Sequence, residues 1–193
     1  MSQEFDRLVE VMRRLRAECP WTREQTHESL RRYVIEEAYE TAEAIDLRDS
    51  DHLREELGDL LMQVVIHAAI AESDDEGWTT DDVVRGIADK LIHRSPHVFG
   101  DVTVSSAAEV DAIWQRLKAE RKQRTHPLEG IPADLPALMA ADKVLGRVDA
   151  PVEGDDLGAR LLRLVAEARS AGVDPEVELR AAIRRHADDA PSS

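Results

Sequence analysis

The sequence predicts an all-α protein, a bundle of four to five helices followed by a smaller helical appendix. Three observations carry this. Aromatic residues make up only 4% of the 193 residues, while Ala, Glu, Arg and Leu abound. Apolar residues recur three and four positions apart in one stretch after another. No segment shows sustained two-residue alternation of the kind a half-buried strand needs.

The elements follow in order. Phe5, Leu8, Val9, Met12 and Leu15 form one stripe over residues 4–18, and Cys19-Pro20-Trp21 breaks it. A second helix is expected over about 29–47, with Leu30, Tyr33, Val34, Ala38, Ala44 and Ile45 on one side. The third, about 51–72, is apolar almost all round from Leu57 to Ala71, which marks it as central. The fourth, about 80–94, follows the cap candidates Thr79 and Thr80. Ser106-Ala-Ala-Glu109 has the spacing of a capping box and opens a fifth helix carrying Val110, Ile113, Trp114 and Leu117. Three of the eight prolines lie between Thr125 and Pro136 and mark a linker over 125–136. Weaker helical segments follow at about 137–148, 155–171 and 175–187. The expected division is a main domain over 1–124, the linker, and an appendix over 137–193.

Composition excludes several classes. A net charge of −15 repels nucleic-acid backbones, so general DNA or RNA binding is not expected. The single cysteine, Cys19, excludes an intramolecular disulfide and suits a reducing compartment. The charged N-terminal residues lack the apolar core of a signal peptide, and no apolar run is long enough to span a bilayer. A cytoplasmic protein is the expectation.

Carboxylates stand where apolar residues belong. At about 100° per residue, with Leu30 at the origin, Glu37 falls at about −20°, inside the apolar stripe of the second helix. Glu40 lies at its edge and Glu36 further out. On the third helix, Glu56, Asp59, Gln63 and His67 form one polar seam. A carboxylate facing a core must be paired, protonated or metal-bound. With the two helices antiparallel, the pairs Glu37/Glu40 and Glu56/Asp59 converge. Four carboxylates without Cys or His describe a site for a hard cation, Mg²⁺ or Mn²⁺. A di-iron site would need Glu-x-x-His on two helices, and that spacing occurs only at Glu24/His27.

Cations complement the acids. Lys90 and Arg94 lie one turn apart on the fourth helix, and Trp114 and Lys118 one turn apart on the fifth. With the acidic cluster they point to a metal-chelated polyphosphate gripped by Lys and Arg, with an indole available for stacking. An acidic helical regulator that binds a nucleotide without turning it over is the alternative.

Cys19-Pro20-Trp21, Gln25-Thr26-His27, Glu36-Glu37-Ala38-Tyr39-Glu40, Glu56-Leu57-Gly58-Asp59 and Arg94-Ser95-Pro96-His97-Val98-Phe99 together resemble the MazG nucleoside triphosphate pyrophosphohydrolases. The resemblance covers roughly residues 5–124 and includes the EExxE and ExxD signature in full. It implies an all-α fold whose active site is built by helices of two subunits, hence a homodimer. It also implies Mg²⁺-dependent hydrolysis of (d)NTPs to monophosphate and diphosphate, a nucleotide-pool cleaning activity. The family's metal ligands correspond to Glu37, Glu40, Glu56 and Asp59, and its nucleotide contacts to Lys90, Arg94, Trp114 and Lys118. Glu36, outside the ligand set, is the candidate general base. Ser95 departs from the family's usual RHPHVF.

Longer members carry two such halves, and the appendix resembles an eroded second half. Asp155-Asp156-Leu157-Gly158-Ala159 aligns faintly with Glu55-Glu56-Leu57-Gly58-Asp59, with alanine where the aspartate belongs.

Overall fold

A computed structural model describes residues 3–121 and 125–189. The expected domain end at residue 124 lies outside the described residues. The described residues form helices only: α1 (Gln3–Glu18), α2 (Pro20–Glu24), α3 (His27–Leu47), α4 (Ser50–Ser73), α5 (Thr80–Arg94), α6 (Pro96–Phe99), α7 (Ala107–Arg121), α8 (Ala137–Leu145), α9 (Leu157–Ser170) and α10 (Pro175–Asp188). The chain divides into two compact units, residues 1–114 and 115–193.

Two helices were not expected, α2 and α6. Both begin with proline, which fits the first helical position because its missing N–H has no intrahelical partner there. The break at Cys19-Pro20-Trp21 is therefore the start of a one-turn helix. The capping box before α7 is also shifted. Ser106 Oγ accepts from Glu109 N, but the Glu109 carboxylate takes the backbone N–H and hydroxyl of Ser105 rather than closing on Ser106. Ahead of α5 the box is complete, with Asp82 accepting from both the N–H and the hydroxyl of Thr79.

The core of the first unit joins Val9 and Met12 of α1, Leu30 of α3, and Val65, Ile66, Ala69 and Ile70 of α4. Phe5, Leu8, Tyr33 and Met62 pack against it. Helix α4 is thus central, as its apolar sequence predicts, but only in its C-terminal half. Leu57, Leu61 and Val64 stay exposed in the single chain, as do Val34, Ile35, Tyr39 and Ile45 of α3. The stripe expected to bury on α3 is buried at Leu30 and Ala44, half-buried at Tyr33, and open at Val34, Ala38 and Ile45.

Helices α3 and α4 form an antiparallel hairpin with a two-residue turn. Arg48 adopts the left-handed conformation (φ 56°) and its N–H reaches the carbonyls of Ala44 and Ile45, closing α3. Asp49 then caps α4 by accepting from the N–H groups of Asp51 and His52. A turn this short fixes the register of the two acidic helices. At the other end Arg16 acts as a tie. Its guanidinium donates to the carbonyls of Thr22, Arg23 and Gln25 at 2.7–2.9 Å and to Asp74 at 3.3 Å. The α2–α3 junction and the end of α4 are thereby held to α1.

In the second unit, α8, α9 and α10 pack on one another. Arg169 of α9 pairs with Asp142 of α8 at 2.9 Å. Asp156 caps α9, accepting from Ala159 N at 3.0 Å. No helix among the described residues is long and apolar enough to cross a membrane.

Candidate metal centre

The α3–α4 hairpin brings Glu37, Glu56 and Asp59 together. One carboxylate oxygen from each lies within 4.8 Å of the others. Glu56 is 8% exposed, and Glu37 and Asp59 are half-buried. Three anions at this spacing repel one another. Glu37 shows the strain: burial raises its pKa above the ordinary glutamate value, and the charges of Asp59, Glu40, Glu56 and Glu36 raise it further.

Glu40 is exposed and falls outside the trio, though near enough for its charge to act on Glu37. Glu36 is exposed too and is the weakest of these influences. The donor set is all carboxylate oxygen, which suits Mg²⁺ or Mn²⁺ rather than a thiolate- or imidazole-seeking metal. The crowding also fits a cation: its arrival turns mutual repulsion into attraction at each oxygen.

Lys90 and Arg94 sit on α5, which packs against α4. The Arg94 guanidinium lies over the Trp114 ring, 5.9 Å from its centroid, so the expected cation and indole meet within the first unit. Lys118 lies one turn further along α7, beyond the division between the two units.

Sequence reasoning missed His52. Its Nε2 is 3.0 Å from Glu56 Oε1, so one site carboxylate has a protein partner as well as two acidic neighbours. The i, i+4 spacing of His52 and Glu56 on α4 was the available signal. His67 continues the seam and faces a second histidine instead of the acids: His27 Nδ1 and His67 Nδ1 are 2.6 Å apart.

Fold and site together define a class: an all-α bundle whose two central antiparallel helices present an acidic cluster suited to a divalent cation. Residues 25–99 match the MazG nucleotide pyrophosphohydrolase domain. The chain is 37% identical to the Thermotoga maritima nucleoside triphosphate pyrophosphohydrolase/pyrophosphatase MazG, over 94% of this chain and 82% of that one. It is 48% identical to an uncharacterised 26.1 kDa protein of Streptomyces cacaoi, over 94% and 78% of the two chains. With the nucleoside triphosphate pyrophosphohydrolase of Escherichia coli K12 the identity is 43%, and the match spans 75% of this chain but only 57% of that protein. The crystal structure of a mazG-related protein from Thermotoga maritima superposes with a TM-score of 0.50 at 32% identity, covering 58% of this chain and 97% of that one. The chain belongs to the MazG nucleotide pyrophosphohydrolase family.

Proposed function

We propose that this protein hydrolyses nucleoside triphosphates, (d)NTP and water giving (d)NMP and diphosphate, at a Mg²⁺ site on the α3–α4 hairpin. The supporting observation is the meeting of Glu37, Glu56 and Asp59 within 4.8 Å in a chain of this family. These three residues, with Glu40 completing the set, would hold the cation, and Mn²⁺ would substitute for it. Bound there, the cation would neutralise triphosphate charge, polarise a phosphoryl oxygen and acidify water.

The protein's own groups divide the remaining work. Lys90, Arg94 and Lys118 neutralise the phosphoryl oxygens and the departing diphosphate. Trp114 offers an indole face to the base, close to the phosphate-binding Arg94, whose guanidinium lies 5.9 Å from the ring centroid. Glu36, exposed beside the cluster, accepts a proton from the attacking water. Ionised Glu37, Glu56 and Asp59 raise the local negative potential, so substrate enters as its metal chelate rather than as a bare polyanion.

The functional unit is a homodimer in the cytoplasm, without a nucleic-acid partner. Leu57, Leu61 and Val64 of α4 and Val34, Ile35 and Tyr39 of α3 are exposed in the single chain, and a second copy laid on the hairpin would cover them. A sole species near 21.6 kDa in sedimentation at micromolar concentration would remove that part of the reading.

Purified protein assayed against a panel of (d)NTPs with Mg²⁺ tests the activity. Diphosphate should appear in equal amount to nucleoside monophosphate. Release of orthophosphate, or binding without product, would overturn the assignment, and the latter outcome would favour the nucleotide-binding regulator.

A further inference from the structure

The polar seam of α4 does not end at the acidic cluster. Two turns beyond Asp59 it reaches His67, whose Nδ1 lies 2.6 Å from Nδ1 of His27, the first residue of α3. The rings are nearly parallel, with 7° between their planes. His27 Nε2 faces both oxygens of Glu76 at 3.2 and 3.3 Å, and Glu76 in turn accepts from Trp78 Nε1 at 3.1 Å. The donor assignment follows from the ends. Ionised Glu76 accepts only, so His27 carries hydrogen on Nε2. With both rings neutral, His27 Nδ1 is the acceptor and His67 Nδ1–H the donor. One added proton is tolerated: His27 becomes an imidazolium donating to both Glu76 and a retautomerised His67. A second is not, because two N–H groups cannot point at each other across 2.6 Å.

We propose that the His27–His67 pair is a proton-operated latch. It pins the start of α3 to α4, sets the spacing of Glu37 against Glu56 and Asp59 at the other end of the same seam, and opens when both rings are protonated.

The position suits the task. The α3–α4 turn of Arg48 and Asp49 closes one end of the hairpin, and the carboxylates repel across its middle. The histidine pair closes the other end. The charged groups around it are Glu28 on α3, Arg16 on α1, and Asp74 and Glu76 after α4. Arg16 is already engaged by Asp74 and by backbone carbonyls. The charge of a protonated His27 registers at both Asp74 and Glu28, lowering their pKa values as a lesser cause. Burial and the neighbouring His27 hold His67 below the ordinary imidazole range. The sign follows: the unfolded chain takes up the proton first, so this contribution to stability is present above about pH 6.5 and is lost on acidification.

The link to the acidic cluster rests on the metal reading above; the latch itself does not. The test uses the full chain between pH 5.5 and 7.5. Nitrogen-15 spectra of the imidazoles should show one Nδ1–H shared by the pair at pH 7.5, with two coupled titration steps. The thermal midpoint of wild type should fall more steeply on acidification than that of His67→Gln, whose amide can still donate to His27 but does not titrate. Mn²⁺ affinity should decline at least threefold more across this range in wild type than in His67→Gln. His27→Gln serves if His67→Gln does not fold. Independent titration of the two rings, or parallel thermal pH profiles, would overturn the latch. Altered thermal profiles with parallel Mn²⁺ profiles would overturn only its action on the acidic site. Absence of Mn²⁺ binding at pH 7.5 would instead sink the metal reading.

Discussion

His52 and Glu56 lie one turn apart on α4, with His52 Nε2 3.0 Å from Glu56 Oε1. The contact engages one oxygen of the most buried carboxylate in the cluster. Partners of this kind typically influence metal affinity by roughly 10–100-fold when removed. His52→Ala should therefore weaken Mn²⁺ binding by about tenfold while leaving the helical circular dichroism signal intact. Titration calorimetry reads the change, and an unaltered dissociation constant would make the contact a surface pair only.

Asp59→Asn keeps the shape of the site and removes one charge. Activity should drop by at least about 100-fold, some 2.7 kcal/mol of transition-state stabilisation. Without added metal, the thermal midpoint should stay equal or rise, since one of the charges pressing on Glu37 is gone. Wild-type turnover from this variant would remove Asp59 from the site.

Glu37 carries a pH signature of its own. Its pKa is raised in the folded protein, so between its ordinary value of 4.5 and that raised value the folded state binds more protons than the unfolded. Stability from this group is thus lost as pH rises through that window, opposite in sign to the contribution of the histidine pair. Glu37→Gln should be more stable than wild type at pH 7 in chelator, with the gap closing as pH falls. Thermal unfolding at several pH values checks this, and a gap independent of pH would exclude the crowded carboxylate as its source.

Trp114 and Lys118 should separate binding from turnover. Removing a stacking face worth ~1–3 kcal/mol should raise KM about 5- to 100-fold, so Trp114→Ala acts chiefly on KM. Lys118→Ala should lower kcat. Because Trp114 also seats Arg94, Trp114→Phe should recover most of the loss by keeping an aromatic face under the guanidinium. Steady-state kinetics distinguish these patterns, and the reverse assignment would displace the nucleotide from α7.

The C-terminal residues should not contribute ligands. Asp156, which aligns with Glu56, is committed to capping α9, and Ala159 stands where Asp59 would align. A chain ending at residue 124 should keep measurable Mg²⁺-dependent diphosphate release with reduced stability. A folded, dimeric truncation without that activity would show that residues beyond 124 complete the site.

Helix and cluster were legible for different reasons. The 3.6-residue period is a local property, so α5 and the long α3 and α4 could be placed to within two residues from their stripes and caps. Glu37 was conspicuous because it breaks an apolar stripe, and Glu56 and Asp59 because they interrupt a greasy helix. Local pattern does not say which part of a stripe finds a partner. Val34 and Ile45 share the stripe of Leu30, yet Leu30 is 1% exposed while they stay open, because α1 and the C-terminal half of α4 supply apolar partners only at the Leu30 end of α3.

The sequence by itself determined the all-α class, the antiparallel acidic helices and the residue types for a hard cation, since all three follow from spacing along one chain. Only the tertiary structure decided that Glu56 shares its oxygen with His52, that Glu40 stays outside the closest trio, and that His67 answers to His27 rather than to the acids. Those outcomes depend on the register across the Arg48-Asp49 turn and on side-chain rotamers. Contacts between residues 40 apart along the chain, such as His27 and His67, leave no periodic trace in it.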